Sequence, residues 1–100
     1  MRLRYKRVLC ADGFSMSVQA SGYNYCTPRT NDAKEYIEVE IGFPNSKEDL
    51  LMDYAEDINN PTATVYGYVP AQVVVNVLAK HGGIVSGDLP PGIPHIKVDE

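Results

Sequence analysis

The sequence predicts an α+β fold: a small antiparallel sheet of about four strands, one main apolar helix (70–81) and an extended C-terminal arm. Three observations carry that expectation. Apolar and polar residues alternate with period two in several short segments, as half-buried strands do. One long apolar stretch opens at Pro70 and stops at Gly82-Gly83, where a helix would start and end. The last residues, GGIVSGDLPPGIPHIKVDE, are too rich in Gly and Pro for either regular element.

The first strands are expected at 3–10 and 14–20. Leu3, Tyr5 and Leu9 alternate with Arg4 and Lys6, and Met16, Val18 and Ala20 alternate with Ser15, Ser17 and Gln19. Asp12-Gly13 between them suits the positive φ of a tight hairpin turn. Residues 21–34 read as a loop, given Gly22, Pro28 and a run of Asn, Asp and Thr. A third strand at 36–41 places Ile37, Val39 and Ile41 on one face and Glu38 and Glu40 on the other. The basic residues of the first strand are expected to pair with these glutamates across the sheet.

Gly42-Phe43-Pro44 ends that strand. Ser46 is the expected N-cap of a short helix or turn through Leu50, Leu51, Met52 and Tyr54, with Glu48 and Asp49 in its first turn. Asn59-Asn60-Pro61 breaks it. A fourth strand, 62–69, sets Val65, Gly67 and Val69 against Thr64, Tyr66 and Tyr68, and Gly67 leaves room for a close approach. In the following helix Gln72, Asn76 and Lys80 form one narrow polar stripe, and Val73, Val74, Val75, Val77, Leu78 and Ala79 cover the rest. A surface helix has a wider polar face. This one is therefore expected to be buried on most sides, and with the apolar arm it predicts a homo-oligomer, a dimer first. The organisation expected is one domain at 1–83 and an arm at 84–100 lying on the domain or on a partner subunit.

The net charge of −4 argues against general nucleic-acid binding, which needs excess Lys and Arg. The charge is uneven: Arg2, Arg4, Lys6 and Arg7 open the chain, whereas 32–57 hold Asp32, Glu35, Glu38, Glu40, Glu48, Asp49, Asp53, Glu56 and Asp57 against Lys34 and Lys47. No apolar run approaches a membrane span and no secretory leader is evident, so a cytosolic setting is expected, with Cys10 and Cys26 reduced. Their spacing, with His81 and His95, makes no zinc motif. No metal or cofactor is expected.

Two patches are candidate ligand sites. The loop carries Tyr23, Tyr25, Thr27, Arg29 and Thr30, where Tyr rings can stack on a base, Arg can grip a phosphate and Thr hydroxyls can add hydrogen bonds. The strand face Tyr66 and Tyr68, with Thr64, leads to the helix N-terminus at Pro70, which attracts anions. A third surface, Glu48, Asp49, Asp53, Glu56 and Asp57, would suit a basic protein partner, although it also reads as an ordinary solvated face. No P-loop, GxSxG, HExxH or paired CxxC is present, so an enzyme is the least expected class. His81 sits where a helix C-terminus favours a charged, carbonyl-capping imidazole. His95 has no evident orienting partner.

The segments VLCADGFSMSVQAS (8–21), GFPNSKEDLLMDYAED (42–57), TVYGYVPAQVV (64–74) and AKHGG (79–83) resemble small uncharacterised proteins of tailed bacteriophages. The resemblance brings no catalytic residues. It implies a phage-encoded, non-enzymatic protein acting in the cytoplasm of an infected bacterium. Such a protein would inhibit a host defence by sequestering a nucleotide-derived immune signal. The alternatives are binding a defence protein through the acidic face, in the manner of a CRISPR inhibitor, or serving as a small virion or assembly component.

Overall fold

The structure, a computed structural model, describes residues 5–95. The expected positions of Arg2, Leu3 and Arg4, and of Ile96 and Val98 in the arm, lie outside them. The chain runs β1 (Val8–Cys10), β2 (Ser15–Gln19), β3 (Glu38–Gly42), a 3-10 helix (Asp49–Tyr54), β4 (Val65–Pro70), α1 (Ala71–Lys80) and β5 (Ile84–Ser86). It is a small α+β fold with one five-stranded sheet, ordered β4-β3-β2-β1-β5, antiparallel throughout.

The Asp12-Gly13 hairpin forms as its residues dictate. Gly13 has φ of 94° and Phe14 N–H donates to the Asp12 carboxylate at 3.0 Å. Val8 pairs with Met16 and Leu9 with Ser15, and Val8, Cys10, Met16 and Val18 face inward, whereas Leu9, expected on the apolar face of the first strand, points outward because its neighbours Val8 and Cys10 take the inner positions. The fifth strand was not expected. Ile84–Ser86, assigned from sequence to the arm, pairs with β1, because Gly82 and Gly83 turn the chain straight back from α1 along that edge. Beyond it, Leu89 and Ile93 are buried in the same core, and Tyr36 N–H donates to the Pro91 carbonyl at 2.8 Å.

Two strand expectations are corrected. Ile37 lies outside β3 and is exposed, while Val39 and Ile41 face the core. Among the described residues, neither Lys6 nor Arg7 pairs with Glu38 or Glu40, because β2 lies between β1 and β3. Arg7 instead reaches across β2 to the Phe43 carbonyl at 2.6 Å and to the Ser15 hydroxyl at 3.1 Å.

Helix α1 buries Val74, Val77 and Leu78. It is not covered on most sides: Val73 and Val75 are half-buried, and Gln72, Asn76, Ala79 and Lys80 are exposed. The β-branched residues at 73 and 75 therefore sit at the margins of the stripe that the chain itself buries. The N-cap of the 3-10 helix is Glu48 rather than Ser46, because the Glu48 carboxylate accepts from Leu50 N–H at 2.8 Å. Among the described residues no helix is long and apolar enough to cross a membrane.

Candidate functional site

The 21–34 loop is held as a strap across the outer face of the sheet. Asn24 Nδ2 and Tyr25 N–H donate to the two oxygens of Glu40, at 2.9 and 3.1 Å, and the Thr27 hydroxyl donates to Glu38 at 2.7 Å. The glutamates of β3 thus anchor the loop. Thr27 also bridges Glu38 through its backbone. It is a structural residue rather than a free hydroxyl donor.

A β-bulge lies opposite Glu40. Val39 pairs with Val69 and Ile41 with Tyr66, so Gly67 and Tyr68 together face one residue of β3. The extra residue separates the two tyrosines that strict alternation would put on one face. Tyr66 is fully buried, its hydroxyl donates to the Pro61 carbonyl at 2.5 Å, and burial raises its pKa. It is a core residue and leaves the candidate site. Tyr68 points outward, 44% exposed, with φ of 53°. A bulky residue in that region is uncommon, and such strain is held in place only by its surroundings. Here Tyr68 N–H donates to the Tyr25 carbonyl at 2.9 Å.

The strap and the bulge bring together residues that sequence reasoning placed on separate patches. Tyr25 rests on Gly67, where an added Cβ would stand 3.2 Å from the Tyr25 Cβ. The Tyr25 and Tyr68 ring centroids are 5.9 Å apart at 35°. The Arg29 guanidinium lies over the Tyr25 ring, 5.1 Å from its centroid, and makes no hydrogen bond or ion pair among the described residues. Tyr25 therefore supports Arg29, Arg29 keeps its fork of donors free, and Tyr68 offers an open ring. Tyr23, 83% exposed, stands nearby in sequence but makes no ring contact among the described residues. At the start of α1, Ala71 N–H is already given to the Ile37 carbonyl at 3.0 Å. A Gly67→Val substitution should push Tyr25 aside and release Arg29 from its ring. Near-ultraviolet circular dichroism of the tyrosines should report this, with a stability loss of only ~1–3 kcal/mol.

A broader groove of about 620 Å³ opens on the same outer face, lined in part by Tyr5, Lys6, Gln19, Asn24, Glu40 and Phe43. Much of its polar capacity is already used internally: the Gln19 amide donates to the Tyr5 carbonyl and the Ser17 hydroxyl, and Glu40 holds the strap.

The acidic surface is smaller than the sequence suggests. Glu48 is 1% exposed and belongs to the interior. Asp57 closes its own turn, accepting from Asn59 N–H and the Asn60 side chain, and those contacts lower its pKa. Asp49, Asp53 and Glu56 remain exposed.

Glu48 lies in a cluster that sequence reasoning missed. His81 Nε2 is 2.6 Å from Glu48 Oε1 and His81 Nδ1 is 2.6 Å from Asp12 Oδ2. Lys80 Nζ donates to Glu48 Oε2 at 2.9 Å. Phe14 stacks on the imidazole with centroids 4.1 Å apart. Burial disfavours the charged ring, but the bonds to the two carboxylates outweigh it and raise the His81 pKa. Glu48 is lowered despite its burial by Leu50 N–H, Lys80 and His81, and Asp12 is lowered by Phe14 N–H and then by His81. The expected carbonyl cap is thus made by the His81 backbone N–H, to Val77 at 3.1 Å, while the ring serves carboxylates. With both nitrogens engaged, His81 cannot accept a proton from a substrate while both contacts persist, and Cys26 is buried against the Ser21 carbonyl. Among the described residues no group of three or more His, Cys, Asp or Glu is disposed to hold a metal ion. No protein family, curated protein or solved structure matches this chain.

Proposed function

We propose that this protein is a non-enzymatic binder of a phosphate-bearing nucleotide, which Arg29 grips by its phosphate while Tyr68 stacks on the base. The observation that carries this reading is the free Arg29 guanidinium seated on Tyr25 beside the exposed, strained Tyr68. A guanidinium already oriented by an aromatic ring loses little freedom on meeting a phosphate. The resemblance to small phage proteins supplies the setting: capture of a nucleotide-derived signal would inhibit a bacterial defence that depends on it.

Calorimetric titration with mono-, di- and cyclic nucleotides tests this. Arg29→Ala should weaken binding about tenfold or more, since a charged hydrogen bond contributes roughly 1.5–3 kcal/mol, and Tyr68→Ala should lose ~1–3 kcal/mol of stacking. Thermal stability should be nearly unchanged in Arg29→Ala, because that side chain holds nothing else in place. Absence of binding across the nucleotide panel, or binding indifferent to both substitutions, would sink the proposal. Inhibition abolished by Asp53→Lys and Glu56→Lys but untouched by Arg29→Ala would move the function to the acidic surface.

A further inference from the structure

We propose that His81 is a pH-operated clamp: as an imidazolium it joins the β1–β2 turn, the segment ahead of the 3-10 helix and the end of α1, and on losing its proton it keeps Glu48 and releases Asp12. An imidazolium has two N–H donors and satisfies both carboxylates at 2.6 Å. A neutral imidazole has one N–H, so its other nitrogen would turn a lone pair toward a carboxylate oxygen at the same distance. One contact must open.

Burial decides which. The Glu48 side chain is 1% exposed, so no water can take over its lost partner, whereas the Asp12 side chain is 50% exposed and can be hydrated where it stands. The surviving proton therefore resides on Nε2. The other groups facing the ring reinforce this. Lys80, on the same helix, stays paired with Glu48 and keeps it ionised. Phe14 covers the ring face and carries no charge. Cys10, beside Asp12 on the hairpin, has its thiol pushed up to about 11 and remains neutral across the range. Lys47 and Asp49, flanking Glu48, are exposed and face each other at 4.0 Å.

The opening is local. Asn45 pins the turn independently, donating to the Gly13 carbonyl at 2.9 Å and accepting from Ser15 N–H at 3.0 Å, and Asp12 still accepts from Phe14 N–H. What changes is the small cleft of about 250 Å³ bordered by Gly13, Phe14, Asn45 and Ser46: above the transition it presents an uncovered Nδ1 lone pair. The signs define the window. A raised His81 pKa gives stability that is complete below its unfolded value and is lost as pH rises through the folded value. The lowered Asp12 and Glu48 give stability that is lost as pH falls through theirs.

The test is nitrogen-15 NMR of the His81 ring in the full chain, titrated over roughly pH 5–9, the range in which histidine charge changes. The expected result is a pKa above the ordinary histidine value of about 6.5 and a neutral form that is the Nε2–H tautomer. Asp12→Asn should return the pKa toward the ordinary value, keep the same tautomer and flatten the fall of Tm on the alkaline side. A neutral Nδ1–H tautomer, or a pKa at or below the ordinary value, overturns the proposal. If Asp12→Asn fails to fold, the tautomer and pKa of the unaltered protein decide the question by themselves.

Discussion

Replacing Glu48 with alanine should destabilise the protein by about 3–5 kcal/mol, the usual cost of breaking a buried ion pair from one side. The carboxylate is 1% exposed and serves three donors: Leu50 N–H at 2.8 Å, Lys80 Nζ at 2.9 Å and His81 Nε2 at 2.6 Å. Its removal uncaps the 3-10 helix, leaves the imidazolium with one carboxylate and leaves a void beneath α1. A domain stabilised by roughly 5–15 kcal/mol would be brought near its folding threshold. In urea, with a slope of about 2 kcal/mol/M, the midpoint should fall by roughly 2 M. Glu48→Gln should lose less, since an amide oxygen can still accept from Leu50. A loss below about 1 kcal/mol for the alanine variant would show that the cluster is energetically idle.

Gly87→Ala should have a comparable effect for an unrelated reason. Gly87 has φ of 111°, and a Cβ there would lie 2.4 Å from the Arg7 carbonyl oxygen and 2.6 Å from the Val8 Cα. The chain leaving β5 passes against the backbone of β1 with no room for a side chain. The clash and the disallowed dihedral together should cost about 2–5 kcal/mol. Gly13→Ala separates the two contributions. Gly13 has a similar φ of 94°, but nothing lies within 4 Å of its added Cβ, so it should lose only the conformational part, ~1–2 kcal/mol. Hydrogen exchange should also show β5 amides losing protection in Gly87→Ala and retaining it in Gly13→Ala. Equal losses in both variants would mean that β5 does not lie this close to β1.

The contrast between what could be read from residues alone and what could not follows the range of the interactions. The hairpin at Asp12-Gly13, the alternating core positions of β2 and the helix bounded by Pro70 and Gly82 were legible because each depends on neighbours within a few residues, through dihedral preference and periodicity. Arg29 and Tyr25 were legible as candidates because their chemistry suits a ligand. Their alliance with Tyr68 was not, because one inserted residue in β4 rotates Tyr68 outward and Tyr66 inward, and a bulge leaves no period in the sequence. Glu48 looked like one acid in an exposed run, since besides the local Leu50 N–H the partners that offset its burial, Lys80 and His81, lie 32 and 33 residues away. Asp12 reaches His81 across 69 residues. Likewise, Ile84–Ser86 reads as part of a Gly- and Pro-rich tail until β1 offers it an open edge. Local chemistry determined the hairpin, β2 and α1; only the tertiary structure decided β5, the bulge in β4 and which charges are buried, because an edge strand needs an open edge and a buried charge needs partners, and distant segments supply both.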